Sequence, residues 1–212
     1  YPTSDILDNI SPNNPIYLTR IDGHSAWVNK LAIVKTGATI HDIDNINGGK
    51  VINDCIMIDN AMDFFKHSLP KDTKSQVKSW IKTAVKEASK FGLTGVHDAW
   101  QDSTTVAAIQ ELIEEKEFSI RCYGMLASSD KSLLSYHFSN GHYYDEYLTL
   151  RSVKAFIDGA LGSRGAALHE PYCDDHNNCG LILISKEEFS NLASLCYKNN
   201  FQLNTHAIGD RG

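Results

Sequence analysis

Two spacings of apolar residues divide the chain. Over residues 72–91, Val77, Ile81, Ala84, Ala88 and Phe91 recur every three or four positions, and Gly92 supplies a stop, which predicts an amphipathic helix. Val106, Ile109, Leu112 and Ile113 repeat the pattern within residues 104–117. A third helix is predicted from Ser185, which forms a capping box with Glu188 ahead of Phe189, Leu192, Ala193 and Cys196. Between the helices lie short β-rich runs: residues 15–21 (PIYLTRI, after the turn-forming SPNNP), 94–99 (in LTGVHDA), 118–126 (FSIRCYGML), 150–158 (LRSVKAFID) and 201–207 (FQLNTHA). Strands alternating with helices predict βα units and a parallel sheet, either doubly wound or closed as a β/α barrel. No GxGxxG or P-loop follows any strand, which weighs against a nucleotide site. In both architectures chemistry gathers at the carboxyl ends of the strands.

Composition narrows the functional classes. A chain of 212 residues, 42% hydrophobic, can bury a sizeable core as a single domain over residues 1–212. Its net charge of −6 and dispersed lysines argue against a nucleic-acid groove or an anionic membrane surface as partner. No apolar run approaches the roughly 18–20 residues that span a bilayer. The opening YPTSDILDN has neither the basic start nor the apolar core of a signal peptide, and it lacks an initiator Met. The expectation is a soluble, cytoplasmic protein whose true N-terminus lies upstream. Of the five cysteines, two stand in CDDHNNC, where Cys173, His176 and Cys179 offer three zinc ligands without a fourth; an ordinary polar loop with two thiols is the competing reading.

The polar residues of two strands carry the chemistry. In SVKAFIDGALGSRGA, Val153, Ala155 and Ile157 point one way and Lys154, Phe156 and Asp158 the other. A mid-strand lysine is costly to bury as an unpaired cation. It reads as an ion-paired residue at a strand end, as a Schiff-base nucleophile, or as a lysine carboxylated by CO₂ to bridge two metals. In FQLNTHA, Gln202, Asn204 and His206 share one face. Lys154 and His206, near the ends of successive predicted strands, point together to a metal site.

With these residues in view, the chain resembles the amidohydrolase superfamily, in the amidohydrolase family 3 branch that includes N-substituted formamide deformylase. The matching blocks are LTRIDGHSAWVN (18–29), DNAMDFF (59–65), GLTGVHDA (92–99), VKAFIDGALGSRGAALHEPY (153–172) and NTHAIGDRG (204–212). The resemblance implies a metal-dependent hydrolase built on a (β/α)₈ TIM barrel, with water activated by a divalent metal, zinc for preference. It implies that Lys154 is the carboxylated, metal-bridging lysine and His206 a metal ligand. The family's His-x-His pair and catalytic Asp have no counterpart in this sequence. The chain is therefore expected to be an internal segment, truncated at both ends, without the flanking β-domain or the first and last barrel strands. Its incomplete metal shell is expected to leave it inactive alone, and its open sheet edges to be covered by a second copy.

Other residues take weaker parts. His24 and Trp27 in DGHSAWVN are expected to face substrate or to pack at a helix start. His97 and Asp98 end a predicted strand, where they would contact substrate or brace those that do. Asp158, Arg164 and Asp210 follow the two metal strands, Arg164 as a substrate clamp or a loop brace. The expected activity is hydrolysis of a non-peptide C–N bond in a small amide- or formamide-like substrate. The alternatives are a non-catalytic barrel-like binding or regulatory relic, and a lyase acting through a Lys154 Schiff base.

Overall fold

The computed structural model describes residues 1–212, which divide into two compact units. The first contains residues 1–70, 156–186 and 206–212; the second contains residues 71–155 and 187–205.

The first unit is organised by an antiparallel sheet. A short helix α1 (Asp5–Ile10) precedes strands β1 (Tyr17–Thr19) and β2 (Ser25–Val28), helices α2 (Lys30–Thr36) and α3 (Ile40–Asp44), and strands β3 (Gly49–Ile52) and β4 (Ile56–Asp59). The strand order is β1-β2-β4-β3, every pair antiparallel. β3 and β4 meet through a turn in which Asn53 and Asp54 adopt φ of 50° and 54°, a left-handed conformation that Asn and Asp tolerate well. Val28, Ile43, Met57, Ala61 and Phe65 form the core beside this sheet. The predicted strand at 15–21 thus belongs to this antiparallel sheet, outside the parallel one.

The helices start where side chains satisfy the exposed N–H groups of the first turn. Asn29 caps α2 by accepting from the Ala32 N–H, and Thr39 forms a capping box with Asp42 on α3. In the second unit Thr73 does the same with Gln76 at the start of α4 (Lys74–Lys90).

The second unit carries the βα pattern: α4, β5 (Gly95–Gln101), α5 (Ser103–Glu114), β6 (Arg121–Ala127), α6 (Lys131–Asn140), β7 (Tyr143–Tyr144), β8 (Leu148–Phe156), α7 (Lys186–Lys198) and β9 (Gln202–His206). β5, β6 and β8 run parallel in that order, β7 adds antiparallel to β8, and β9 also pairs with β8. Leu112, Leu126, Leu148, Leu150, Val153 and Leu192 lie in one apolar cluster. The lysines spread along α4 are neutralised locally: Lys74 and Lys78 pair with Glu111, Lys78 also with Glu115 at 2.6 Å, and Lys82 with Glu117. That face is a seam between two helices rather than a basic surface.

Two bulges set which way the polar residues face. Gly124 pairs with Leu150 but Met125 with Ser152, so Arg151 is an extra residue on β8. Before it Leu148 and Leu150 enter the core; after it Val153 and Ala155 do. The shift of one residue turns Lys154 to the opposite face, where strict alternation from Leu150 would have sent it into the apolar cluster. On β5 the register also shifts between Asp98 and Gln101.

Candidate active site

In the first unit four titratable side chains come together where β4 ends and where β8 and β9 hand over to their loops. His206 closes β9, and its main-chain carbonyl accepts from the Ile157 N–H at 2.9 Å. Its ring lies 5.0 Å from that of Phe156 and 5.0 Å from that of His24, and His24 lies 6.0 Å from Phe156. Nε2 of His206 is 3.3 Å from the Gly159 carbonyl oxygen and 3.8 Å from Asp158 Oδ1.

Asp158 is fully buried, and main-chain donors satisfy it. Oδ1 accepts from the Ile208 N–H at 2.9 Å, and Oδ2 from Ala167 and Gly209 at 2.9 and 2.7 Å. One carboxylate therefore fastens the GALGSRGA loop to the segment that follows His206. Three such donors stabilise a buried charge.

Asp59, the last residue of the otherwise apolar strand IMID, is the second buried carboxylate. Its Oδ1 lies 2.7 Å from His24 Nδ1, while Oδ2 is buried with no hydrogen-bond partner. The space around Oδ2 is defined by two glycines: a Cβ on Gly159 or on Gly165 would fall 2.2 Å from it. Neither glycine has positive φ, so the demand is for room and not for conformation. Asp59 itself has φ 47° and ψ −119°, an unfavourable backbone conformation for a non-glycine residue. Burial pushes its carboxyl above the ordinary carboxylate range, against the opposing pull of His24.

The remaining predicted residues fall elsewhere. Trp27 lies on β2, packs against the buried cluster of Cys55, Ile56 and Ile58, and donates its indole N–H to the Thr3 carbonyl at 3.1 Å. Arg164 braces a loop: Nε and Nη2 donate to the two oxygens of Asp174 at 3.0 and 2.6 Å, and Nη1 to the Tyr1 hydroxyl at 2.5 Å. Of the two roles expected for it, the bracing role is the one these bonds fill. Asp210 accepts from the His169 N–H at 3.0 Å. Cys173 and Cys179 are free thiols, Cys173 exposed.

In the second unit His97 and Asp98 point to opposite faces of β5. Asp98 braces the bulge, accepting from Gln101 Nε2 at 3.2 Å. His97 stacks near Tyr123, 5.1 Å between rings, and the Tyr123 hydroxyl donates to Gln202 Oε1 at 3.0 Å. Gln202 in turn donates to Asn204 Oδ1 at 2.8 Å, which makes a polar row on the face opposite the core. Lys154 is half-buried, and burial lowers the pKa of its amine.

A metal fits these residues only in part. Imidazole and a carboxylated lysine are suitable donors for a divalent ion. No three His, Cys, Asp or Glu side chains of the chain gather as a cage, so a complete coordination shell is not assembled here. Two residues of the histidine cluster were hard to find by sequence pattern. Asp59 lies in the DNAMDFF block with no role attached to it, its signal being a lone carboxylate at the end of an apolar run; alternation puts Phe156 on the face of Lys154 and Asp158, but an aromatic ring there carries no chemical signal of its own.

Comparison with known proteins supplies the family. The amidohydrolase family model matches residues 1–212. The chain is 31% identical to Protein LONG AFTER FAR-RED 3 of Arabidopsis thaliana, over 99% of this chain and 39% of that protein. It is 27% identical to a putative amidohydrolase, YtcJ, of Bacillus subtilis, over 99% of this chain and 41% of that one. Its fold is similar to that of an uncharacterised metal-dependent hydrolase from Pyrococcus horikoshii, with a TM-score of 0.69 at 22% identity, covering 100% of this chain and 42% of the other. The counterpart from Pyrococcus furiosus gives 0.66 at 23% identity, over 100% and 44%. The chain spans about two fifths of the length of these curated relatives. With the family model matched from its first residue to its last, the chain belongs to the amidohydrolase family.

Proposed function

We propose that these residues form the central part of a metal-dependent hydrolase that cleaves a non-peptide C–N bond of a small amide- or formamide-like substrate, on a (β/α)₈ barrel. The observation that carries this reading is the approach of His24 to His206 beside two buried carboxylates, Asp59 and Asp158. In it Lys154, as its carbamate, and His206 are donors to a divalent metal, zinc for preference, and further donors come from the rest of a longer protein. Such an ion supplies an activated water and polarises the carbonyl of the bond to be cleaved.

The chain's own residues perform the positioning. Asp158 fixes the loop behind His206 through three main-chain N–H groups, and Phe156 walls one side of the imidazole. His24 contributes a second imidazole, its ring 5.0 Å from that of His206. Hydrolysis adds water across the bond, R–CO–NH–R′ + H₂O giving R–COOH and H₂N–R′, so the site must also deliver a proton to the departing nitrogen. Residues 1–212 alone, with two donors, are expected to hold metal weakly and to hydrolyse no amide.

Turnover of p-nitroformanilide by the full-length protein tests the reading, since cleavage releases coloured p-nitroaniline. A chelator is expected to abolish turnover and a divalent metal to restore it. Turnover indifferent to chelation, or absent from the metal-loaded protein across a panel of amides, contradicts it.

A further inference from the structure

Asp59 belongs to none of the residues assigned above to metal or substrate, yet its setting is that of a working carboxylate. One oxygen is committed to His24 Nδ1 at 2.7 Å; the other is buried, without a hydrogen-bond partner, between Gly159 and Gly165. The side chain of Asp59 is 1% exposed and that of His24 14%. A buried oxygen without a partner is destabilising, and the φ of 47° at Asp59 adds backbone strain. A fold that needed only a filled space there would do better with an apolar side chain.

We infer that Asp59 is a positioning residue that fixes His24 as the tautomer protonated on Nδ1, leaving Nε2 as a hydrogen-bond acceptor for a donor group of the substrate. The ring nitrogen that carries the proton is set by the partner of the other nitrogen. A carboxylate accepts, so the Nδ1–H of His24 is directed at Asp59, and Nε2 keeps its lone pair. Free imidazole side chains favour the opposite tautomer, so the carboxylate decides the outcome. Asp59 is held in turn by shape: Gly159 and Gly165 stand in the same loop that Asp158 pins behind His206, so this loop serves both histidines. The acceptor matches the N–H of an N-monosubstituted amide, and that final step rests on the hydrolase reading; the tautomer does not.

Nitrogen-15 correlation spectra of the His24 ring decide the matter without turnover, at about pH 8, above the ordinary imidazole range. His24→Gln identifies the signals. The expected spectrum has an acceptor-type Nε2 and a protonated Nδ1. Asp59→Asn should keep it, because the amide oxygen can still accept from Nδ1–H, while Asp59→Ala should move the proton to Nε2. A proton on Nε2 in the unaltered protein overturns the inference, and so does an unchanged ring in Asp59→Ala. Should Asp59→Ala fail to fold, the unaltered protein and Asp59→Asn decide it.

Discussion

Asp158 stands 3.8 Å from His206 because its two oxygens are already held, at 2.7–2.9 Å, by the main chains of Ala167, Ile208 and Gly209. Its first task is to tie two loops, and its second is to place a negative charge behind an imidazole. Removing it leaves three N–H groups facing a cavity. Asp158→Ala should therefore lose about 3 kcal/mol of stability, and Asp158→Asn less, because the amide oxygen still accepts. Urea denaturation of the three proteins checks the order; an Asp158→Ala chain as stable as the original contradicts it.

Gly159 and Gly165 are predicted to be intolerant for a reason of volume. An added methyl at either position would fall 2.2 Å from Asp59 Oδ2, so the carboxylate or the loop must move. Each Gly→Ala change should cost about 1–3 kcal/mol. It should also alter the His24 ring signals, because Asp59 carries the displacement to its partner. Unchanged melting temperature and unchanged signals in both variants would show that the loop has slack.

Deleting Arg151 tests the bulge. Without it β8 returns to strict alternation, and either Lys154 or the apolar residues Val153 and Ala155 must take the wrong face. The expected result is a loss of several kcal/mol, since a lysine at a core position lacks a compensating charge. A cooperatively folded deletion variant of ordinary stability contradicts the proposed origin of Lys154's orientation.

Asp130 makes stability sensitive to acid. Burial raises its pKa, but donation from Leu133 N–H, the Ser103 hydroxyl and N–H, and the Ser132 hydroxyl outweighs that and holds it at about 2. A carboxyl depressed in the folded state binds its proton more readily when unfolded. Its stabilisation is complete above the unfolded value near 4 and disappears as pH falls through about 2. Because Asp130 is partly exposed, the contribution should be about 1–2 kcal/mol. The stability difference between the unaltered protein and Asp130→Ala should shrink by that amount between neutral pH and pH 2; a constant difference refutes it.

The parallel unit was legible because its signals are local. The period of Val77, Ile81, Ala84 and Ala88 gave α4, and the alternation in FQLNTHA gave β9 with its polar face. The antiparallel sheet was not read, since SAWV, GKVI and IMID are only four residues each and buried on both faces or at edges. Asn53 and Asp54, between two such runs, were the available hairpin signal. At the site, alternation from Val153 correctly put Lys154 opposite the core, but the β8 bulge that permits this lies upstream and leaves no mark in composition. The partnership of His24 with Asp59 spans 35 residues and depends on glycines a hundred positions further on; no local pattern contains it.

The central claim is that Lys154 and His206 are donors to the metal on which hydrolysis depends. Bound divalent metal and p-nitroformanilide turnover, measured together in the full-length protein and its Lys154→Ala and His206→Ala variants, test it most directly. Both variants are predicted to lose metal and to lose more activity than the roughly 10–100-fold that outer partners of a metal cost. Retention of stoichiometric metal and near-normal turnover by either variant would remove that residue from the metal site, and retention by both would end the account.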